Sequence, residues 1–271
     1  MSMLQDDVVQ ALNAAAWPGY VTEQLGPLVG DAVAATLRPV VGALLDGGSD
    51  PVVLGGSKVG GLPHVDDAFV WPTEDDTDEP LALVCQLNLV EAAAAAGGGL
   101  AGTGMLYLFC IYDSDRAYGY EIDWTTAKLL HVPQPGPLAA AKRPDGLDDD
   151  GELAERRIVL VPSLVCERAD ENGRPCAARF DYAVEEAMDG ALLRNGGGSA
   201  DVVRMLGNPH LFRSEARELV DPLTDTLLLY VNAYAVSADA FGEGEFHVVI
   251  DNDALRAGEF EGARIIFEPG T

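Results

Sequence analysis

Positive charge is scarce in this chain. Its 271 residues include 17 Lys and Arg against 44 Asp and Glu, giving a net charge of −27 and a sequence pI near 4.2. Nucleic acids and anionic membranes are bound through clustered Lys and Arg, yet no Lys or Arg occurs between Lys58 and Arg116. Neither surface is therefore expected as a partner, and a cationic one, a basic protein, a polyamine or a metal ion, fits the charge better. Cysteine is scarce too, with 4 residues, too few for a disulfide framework. Cys166 and Cys176 flank the polar stretch ERADENGRP and have the spacing to face each other across a hairpin, although a cytoplasmic setting favours free thiols. The chain lacks a CxxC motif and neighbouring histidines, so no metal site and no cofactor are expected. It also lacks Gly-x-Ser-x-Gly, and its histidines at 64, 131, 210 and 247 are scattered, so no catalytic residue is assigned. The first residues, MSMLQDDVVQAL, have no basic leader region. The most apolar window, 28–45, is broken by Asp31, Arg38, Pro39 and Gly42. These features lead us to expect a soluble cytoplasmic protein.

A hydrophobic content of 48% is ample for a core. Residues 1–48 place Leu4, Val8, Leu12, then Leu28, Ala32, Val33, Leu37, Val40, Val41 and Leu44 on stripes of helical period. This predicts an N-terminal helical segment packed on a main domain at 49–271. From Pro51 the period shortens, and strands are expected at 52–54, 81–89, 105–112, 119–123, 127–132, 157–165, 226–232, 245–250 and 264–268. Helices are expected at 92–99 and 181–194, with one turn at 254–257. The Thr-Glu-Asp-Asp-Thr-Asp-Glu stretch at 73–79 reads as an exposed acidic loop, and 133–155, rich in Pro, Gly and Asp, as a mobile loop. Strand runs with few helices define α+β with a mainly antiparallel sheet. GMLYLFCIYD and GEFHVVIDND share a glycine, a strand and a terminal Asp, which hints at a duplicated half.

Gly56-Ser57-Lys58-Val59-Gly60-Gly61-Leu62-Pro63, Trp71-Pro72, Gln86-Leu87-Asn88 and Gly104-Met105-Leu106-Tyr107-Leu108-Phe109 follow one another in a distinctive order. Further on come Arg204-Met205-Leu206-Gly207-Asn208-Pro209 and Phe241-Gly242-Glu243-Gly244-Glu245-Phe246. In these blocks the chain resembles the YwqG-like family of bacterial proteins. The resemblance implies an α+β fold of that type and no particular reaction. Arg204 stands where the family has His, Phe241 where it has Trp and Glu243 where it has Asp.

The glycines around Lys58 invite a phosphate-loop reading, but Ser-Lys precedes the spaced glycines, the reverse of the phosphate-loop order. The acids at 66–79 lack the spacing of a calcium loop. Glu243 and Glu245 fall on one face of a strand, and Trp71, Tyr107, Phe109 and Tyr112 are core aromatics or pocket walls. Two functional expectations follow. One is a non-enzymatic binding protein, of immunity or accessory type, that engages a basic protein. The other is an enzyme or binder of a small polar ligand, whose pocket would gather Lys58, Trp71, Gln86, Arg204 and Glu243.

Overall fold

The computed structural model describes residues 37–45, 51–96, 100, 102–111, 127–147, 151–169, 175–177, 202–209, 211, 213–221, 223–241 and 244–268. Ten strands form one path: β1 (Leu37–Leu45), β2 (Lys58–Val59), β4 (Ala82–Asn88), β5 (Met105–Cys110), β6 (Ala127–Val132), β8 (Arg156–Ala169), β10 (Val203–Met205), β11 (Asp225–Asn232), β12 (Glu245–Asp251) and β13 (Arg264–Glu268). Their spatial order is β13-β12-β11-β10-β1-β8-β2-β4-β5-β6, and β9 (Pro175–Ala177) pairs with β8 outside the path. A separate ribbon joins β3 (His64–Val65) to β7 (Ala139–Ala140). Every pairing among the described strands is antiparallel. The sheet curves until its edges, β6 and β13, line the two sides of one groove. The helices are short: α1 (Leu89–Ala95), α2 (Ser214–Glu218), α3 (Ala233–Phe241, broken at Ser237) and α4 (Asn252–Ala257).

The order of strands is a palindrome about β1 and β8. On one side the sheet runs β2-β4-β5-β6, on the other β10-β11-β12-β13. Details repeat at matching places. Lys58 stands opposite Gln86 as Arg204 stands opposite Tyr230. Gln86 stands opposite Tyr107 as Tyr230 stands opposite His247. A bulge falls between Leu83 and Cys85 in one half and between Leu227 and Leu229 in the other. β4 and β11 each end in Asn and turn straight into a helix. The Asn88 side chain accepts from the amides of Val90 and Glu91, and Asn232 Oδ1 accepts from Ala235. Leu89 N–H then reaches Gly104 O at 3.0 Å, as Ala233 N–H reaches Gly244 O at 2.9 Å. The duplication hinted at by GMLYLFCIYD and GEFHVVIDND is thus written into the backbone.

The halves are interleaved. β1 leads into the first half but pairs with β10 of the second, while β8 leads into the second and pairs with β2 of the first. β1 and β8 themselves pair along all nine residues of β1.

Two expectations are corrected. Leu37–Leu45, read as the end of an N-terminal helix, is the central strand β1; residues 1–36 lie outside the described residues. Consecutive Val40, Val41, Gly42 and Ala43 are all buried, and a strand covered on both faces needs an unbroken apolar run that imitates a helical stripe. Pro39 is tolerated because β10 pairs only with Val41 and Gly42, so the missing N–H interrupts no second ladder. The strand expected at 52–54 is irregular chain and turn. The strand expected at 119–123 and the helix at 181–194 lie outside the described residues. The β8–β9 pairing sets Arg168, not Cys166, opposite Cys176.

The described parts of the expected loop, 133–147 and 151–155, are mostly irregular but tied down. β7 pairs with β3, Ala141 N–H donates to Pro63 O, and Leu147 and Leu153 are buried. Among the described residues no helix is long and apolar enough to cross a membrane.

Candidate functional site

Each half carries a polar row on one face of its sheet, running from the short strand outward. In the first half the row is Lys58, Gln86 and Tyr107, all buried. The Lys58 ammonium donates to Glu155 Oε2 at 2.6 Å and to the carbonyl of Leu62. Gln86 Oε1 accepts from His64 N–H at 2.6 Å, and its Nε2 donates to Gly56 O at 2.8 Å. Tyr107 Oη donates to His64 O at 2.7 Å. Gly55 N–H donates to His64 Nδ1 at 3.0 Å, which leaves the ring proton of the neutral tautomer on Nε2. Burial, and then the Lys58 charge, lower the His64 pKa. Burial also lowers that of Lys58, against the pull of Glu155. Phe69 and Trp71 cover the row, with Phe69 centroids about 6 Å from Trp71, Tyr107 and Phe109, and Trp71 Nε1–H donating to Leu81 O at 2.9 Å.

The glycine loop is fully occupied by its own protein. The amides of Gly55, Gly56, Ser57, Gly60 and Gly61 donate to His64, Val53 O, Glu91, Val84 O and Leu153 O respectively. No amide among these is left for phosphate, and Lys58 is spent on Glu155 and Leu62. The loop is a fastening.

In the second half the row reads Arg204, Tyr230 and His247. The Arg204 guanidinium lies 5.1 Å from the Tyr230 ring centroid, and the Tyr230 and His247 rings meet edge-on at 5.3 Å. Glu245 shares a strand face with His247, and the β12–β13 register places Glu268 directly opposite Glu245. His247 Nε2 lies 3.4 Å from Glu245 Oε2 and 3.7 Å from Glu268 Oε2. The other carboxylate oxygens are engaged: Tyr230 Oη donates to Glu245 Oε1, and Arg213 N–H to Glu268 Oε1, both at 2.9 Å. Burial works against ionising Glu245, but His247, Tyr230 and the Arg204 charge more than offset it and hold its pKa below the usual value. His247 is fully buried, and neither ring nitrogen has a hydrogen-bond partner among the described residues; Arg204 Nε is in the same state.

Of the five side chains expected to converge, the structure pairs Lys58 with Gln86 and sets Trp71 on the cover of that row. Arg204 belongs to the other row, three strand spacings away along β2-β8-β1-β10. Glu243 lies outside the described residues. Sequence reasoning missed Glu155 and Glu268 as partners in these rows. His64 and His247 were visible only as isolated histidines. One signal was available: Lys58-Val59-Gly60-Gly61-Leu62-Pro63-His64 is echoed by Arg204-Met205-Leu206-Gly207-Asn208-Pro209-His210. In each copy the third and fourth residues take positive φ, including the non-glycine Leu206 at 70°.

The molecule is thus a curved antiparallel sheet of two interleaved, diverged halves, each with a buried polar row. The chain matches the family described as a domain of unknown function (DUF1963) over residues 57–268, and it belongs to that family. No curated protein matches it.

Proposed function

We propose that this is a non-enzymatic binding protein that engages a basic protein partner through its acidic surface, as an immunity-type or accessory factor would. The observation that carries the reading is the construction of the 73–80 turn. Thr73 bridges to Pro80, Glu74 N–H donates to Glu79 O at 2.8 Å, and Thr77 Oγ1 donates to the buried Glu74 carboxylate at 2.5 Å. Asp75, Asp76, Asp78 and Glu79 are thereby held outward, all exposed, with Asp75 paired to Lys128 at 2.6 Å. Acids on a cross-linked turn meet a cationic surface with less ordering entropy to lose than acids on a slack loop. The net charge of −27 adds long-range attraction for a basic partner. The self-satisfied first row also favours binding over catalysis there, since Lys58, Gln86 and Tyr107 all serve to hold backbone in place.

The test is affinity capture from the native host with two baits, the natural chain and one carrying Asp75→Asn, Asp76→Asn, Asp78→Asn and Glu79→Gln. A basic protein retained at low salt by the first bait, released as salt rises and missing from the second, is the expected result. Identical captures on both baits overturn the reading.

A second reading, small-ligand binding, is favoured by the groove at the sheet seam. Its volume is about 520 Å³, and its walls include Leu129 and Leu130 of β6 and Ile265 of β13. That size suits a small molecule. Lys58, Trp71, Gln86 and Arg204, the four described side chains expected from the sequence, do not line it. A thermal-shift hit abolished by Leu130→Trp supports this reading, and a hit indifferent to that change counts against it.

A further inference from the structure

We propose that Glu245, His247 and Glu268 form a binding site for one divalent transition-metal ion of the zinc kind. The inference goes beyond the partner-binding reading and does not depend on it. Three donors from two adjacent strands face one another: two from alternate residues of β12, the third from directly across on β13. Their ligating atoms all lie within 4.8 Å of one another. Donors around a tetrahedral ion, each about 2.0–2.1 Å from it, stand about 3.4 Å apart. His247 Nε2 is 3.4 and 3.7 Å from the facing carboxylate oxygens, so these two spacings already suit an ion, and the two carboxylates lie within 4.8 Å of each other.

The state of His247 separates this cluster from an ordinary patch of acids. The ring is fully buried, its two nitrogens lack hydrogen-bond partners among the described residues, and Nε2 is aimed between two carboxylate oxygens. A buried imidazole nitrogen normally finds a donor or acceptor, and an orphan one costs stability. A metal ion at that point would satisfy it. Tyr230 and Arg213 each hold the other oxygen of one carboxylate, which fixes the orientation of the donors from outside, as the supporting partners of metal ligands do.

Charge gives the same answer. Two neighbouring carboxylates at the edge of a core call for positive charge close by. A divalent ion lying between them is one source of it. One nitrogen and two carboxylates are too few and too mixed for calcium, which takes six to eight oxygens, and suit zinc and its first-row neighbours. Glu245, with 24% of its side chain exposed, leaves a path for the ion and a coordination position for water. The matching places of the first half carry Met105, Tyr107 and Val132, so the site belongs to the second half alone.

The test is titration of chelator-stripped full-length protein with zinc by calorimetry, in the presence of excess calcium to saturate surface acids. One equivalent of zinc is expected to bind and to raise the melting temperature by about 5–10 °C when free zinc is about a hundred times Kd. Cobalt(II) in its place is expected to give the visible absorption of a four-coordinate ion. Glu245→Gln with Glu268→Gln should weaken zinc binding more than about a hundredfold. If that pair unfolds, Glu245→Gln alone, at the half-exposed edge, is the variant to compare. Absence of calcium-resistant zinc binding overturns the proposal. So does zinc binding that survives the substitutions unchanged, or an NMR titration in which the His247 ring resonances do not respond to zinc.

Discussion

The two halves share a backbone plan and differ in how their polar rows are finished. Lys58, Gln86 and Tyr107 spend their polar atoms on neighbours, and the row bolts the 55–64 loop to the sheet. Arg204, Tyr230 and His247 occupy the same stations, yet ring and guanidinium nitrogens there remain without hydrogen bonds. Duplication lets one copy keep the fold while the other keeps polar atoms in reserve. A buried polar group with no partner costs roughly 1–3 kcal/mol, so the second row contributes less to stability than the first.

The comparison is broken most severely at the glycines that open β5 and β12. A Cβ on Gly104, which has φ +92°, would lie 1.9 Å from the Val132 carbonyl oxygen, a backbone atom. On Gly244 it would meet the Phe267 ring at 2.1 Å, which is a movable side chain. Gly104→Ala is expected to cost on the order of 4 kcal/mol and Gly244→Ala about 1–3 kcal/mol. Urea midpoints of the two variants measure the difference, and equal losses would mean the stations are equally rigid.

Next come the second members of the rows. Gln86→Leu strands His64 N–H and Gly56 O in the interior, for a loss of about 2–4 kcal/mol. Tyr230→Phe removes the bond to the partly exposed Glu245 and is expected to cost about 1 kcal/mol. Denaturant unfolding of both variants tests whether the first row is the structural one.

Acid sharpens the contrast by a smaller step. The folded pKa of His64 lies below its ordinary 6.5, so the unfolded chain takes up this proton first as pH falls. Stability is full above about pH 6.5 and declines below it until the folded pKa is reached, by at most about 1.4 kcal/mol per pH unit for one proton. His64→Gln should flatten that part of the profile. An unchanged slope would assign the titration to another group.

The last contrast leaves stability alone. Cys85 and Cys110 are buried in the first half, and burial pushes both thiols up to about 12. Their counterparts in the second half are Leu229 and Ile250. Labelling of Cys85 and Cys110 in a Cys166→Ser, Cys176→Ser background should therefore be slow in the native state and should report opening of the first half alone. Because the halves are interleaved, the labelling rate should match that of global unfolding; faster labelling would mean the first half opens by itself.

Much of this frame was legible in the chain, for physical reasons. Val, Ile and Leu runs bounded by glycine placed β4, β5, β11, β12 and β13 within a residue or two. Leu37–Leu45 misled because burial on both faces removes the alternation by which a strand is recognised. Short β2 and β10 owe their existence to neighbours on both sides, which periodicity cannot register. For the sites, Lys58 and Gln86 stood out as polar residues in an apolar setting, and the register explains them. His247 and Glu268 are separated in sequence and meet only through the β12–β13 pairing. A search by ligand spacing could not have joined them.

The interleaving of β1 and β8 has a bearing on how such a molecule is assembled and divided. Each half owns a first strand whose hydrogen-bonding neighbours belong to the other half. A single half, made alone, would present that strand as an open edge, and two copies of it could exchange first strands and close the same sheet as a symmetric pair. The covalent link between 132 and 156 is then a tether, and fragments cut within it are expected to co-purify as a complemented pair.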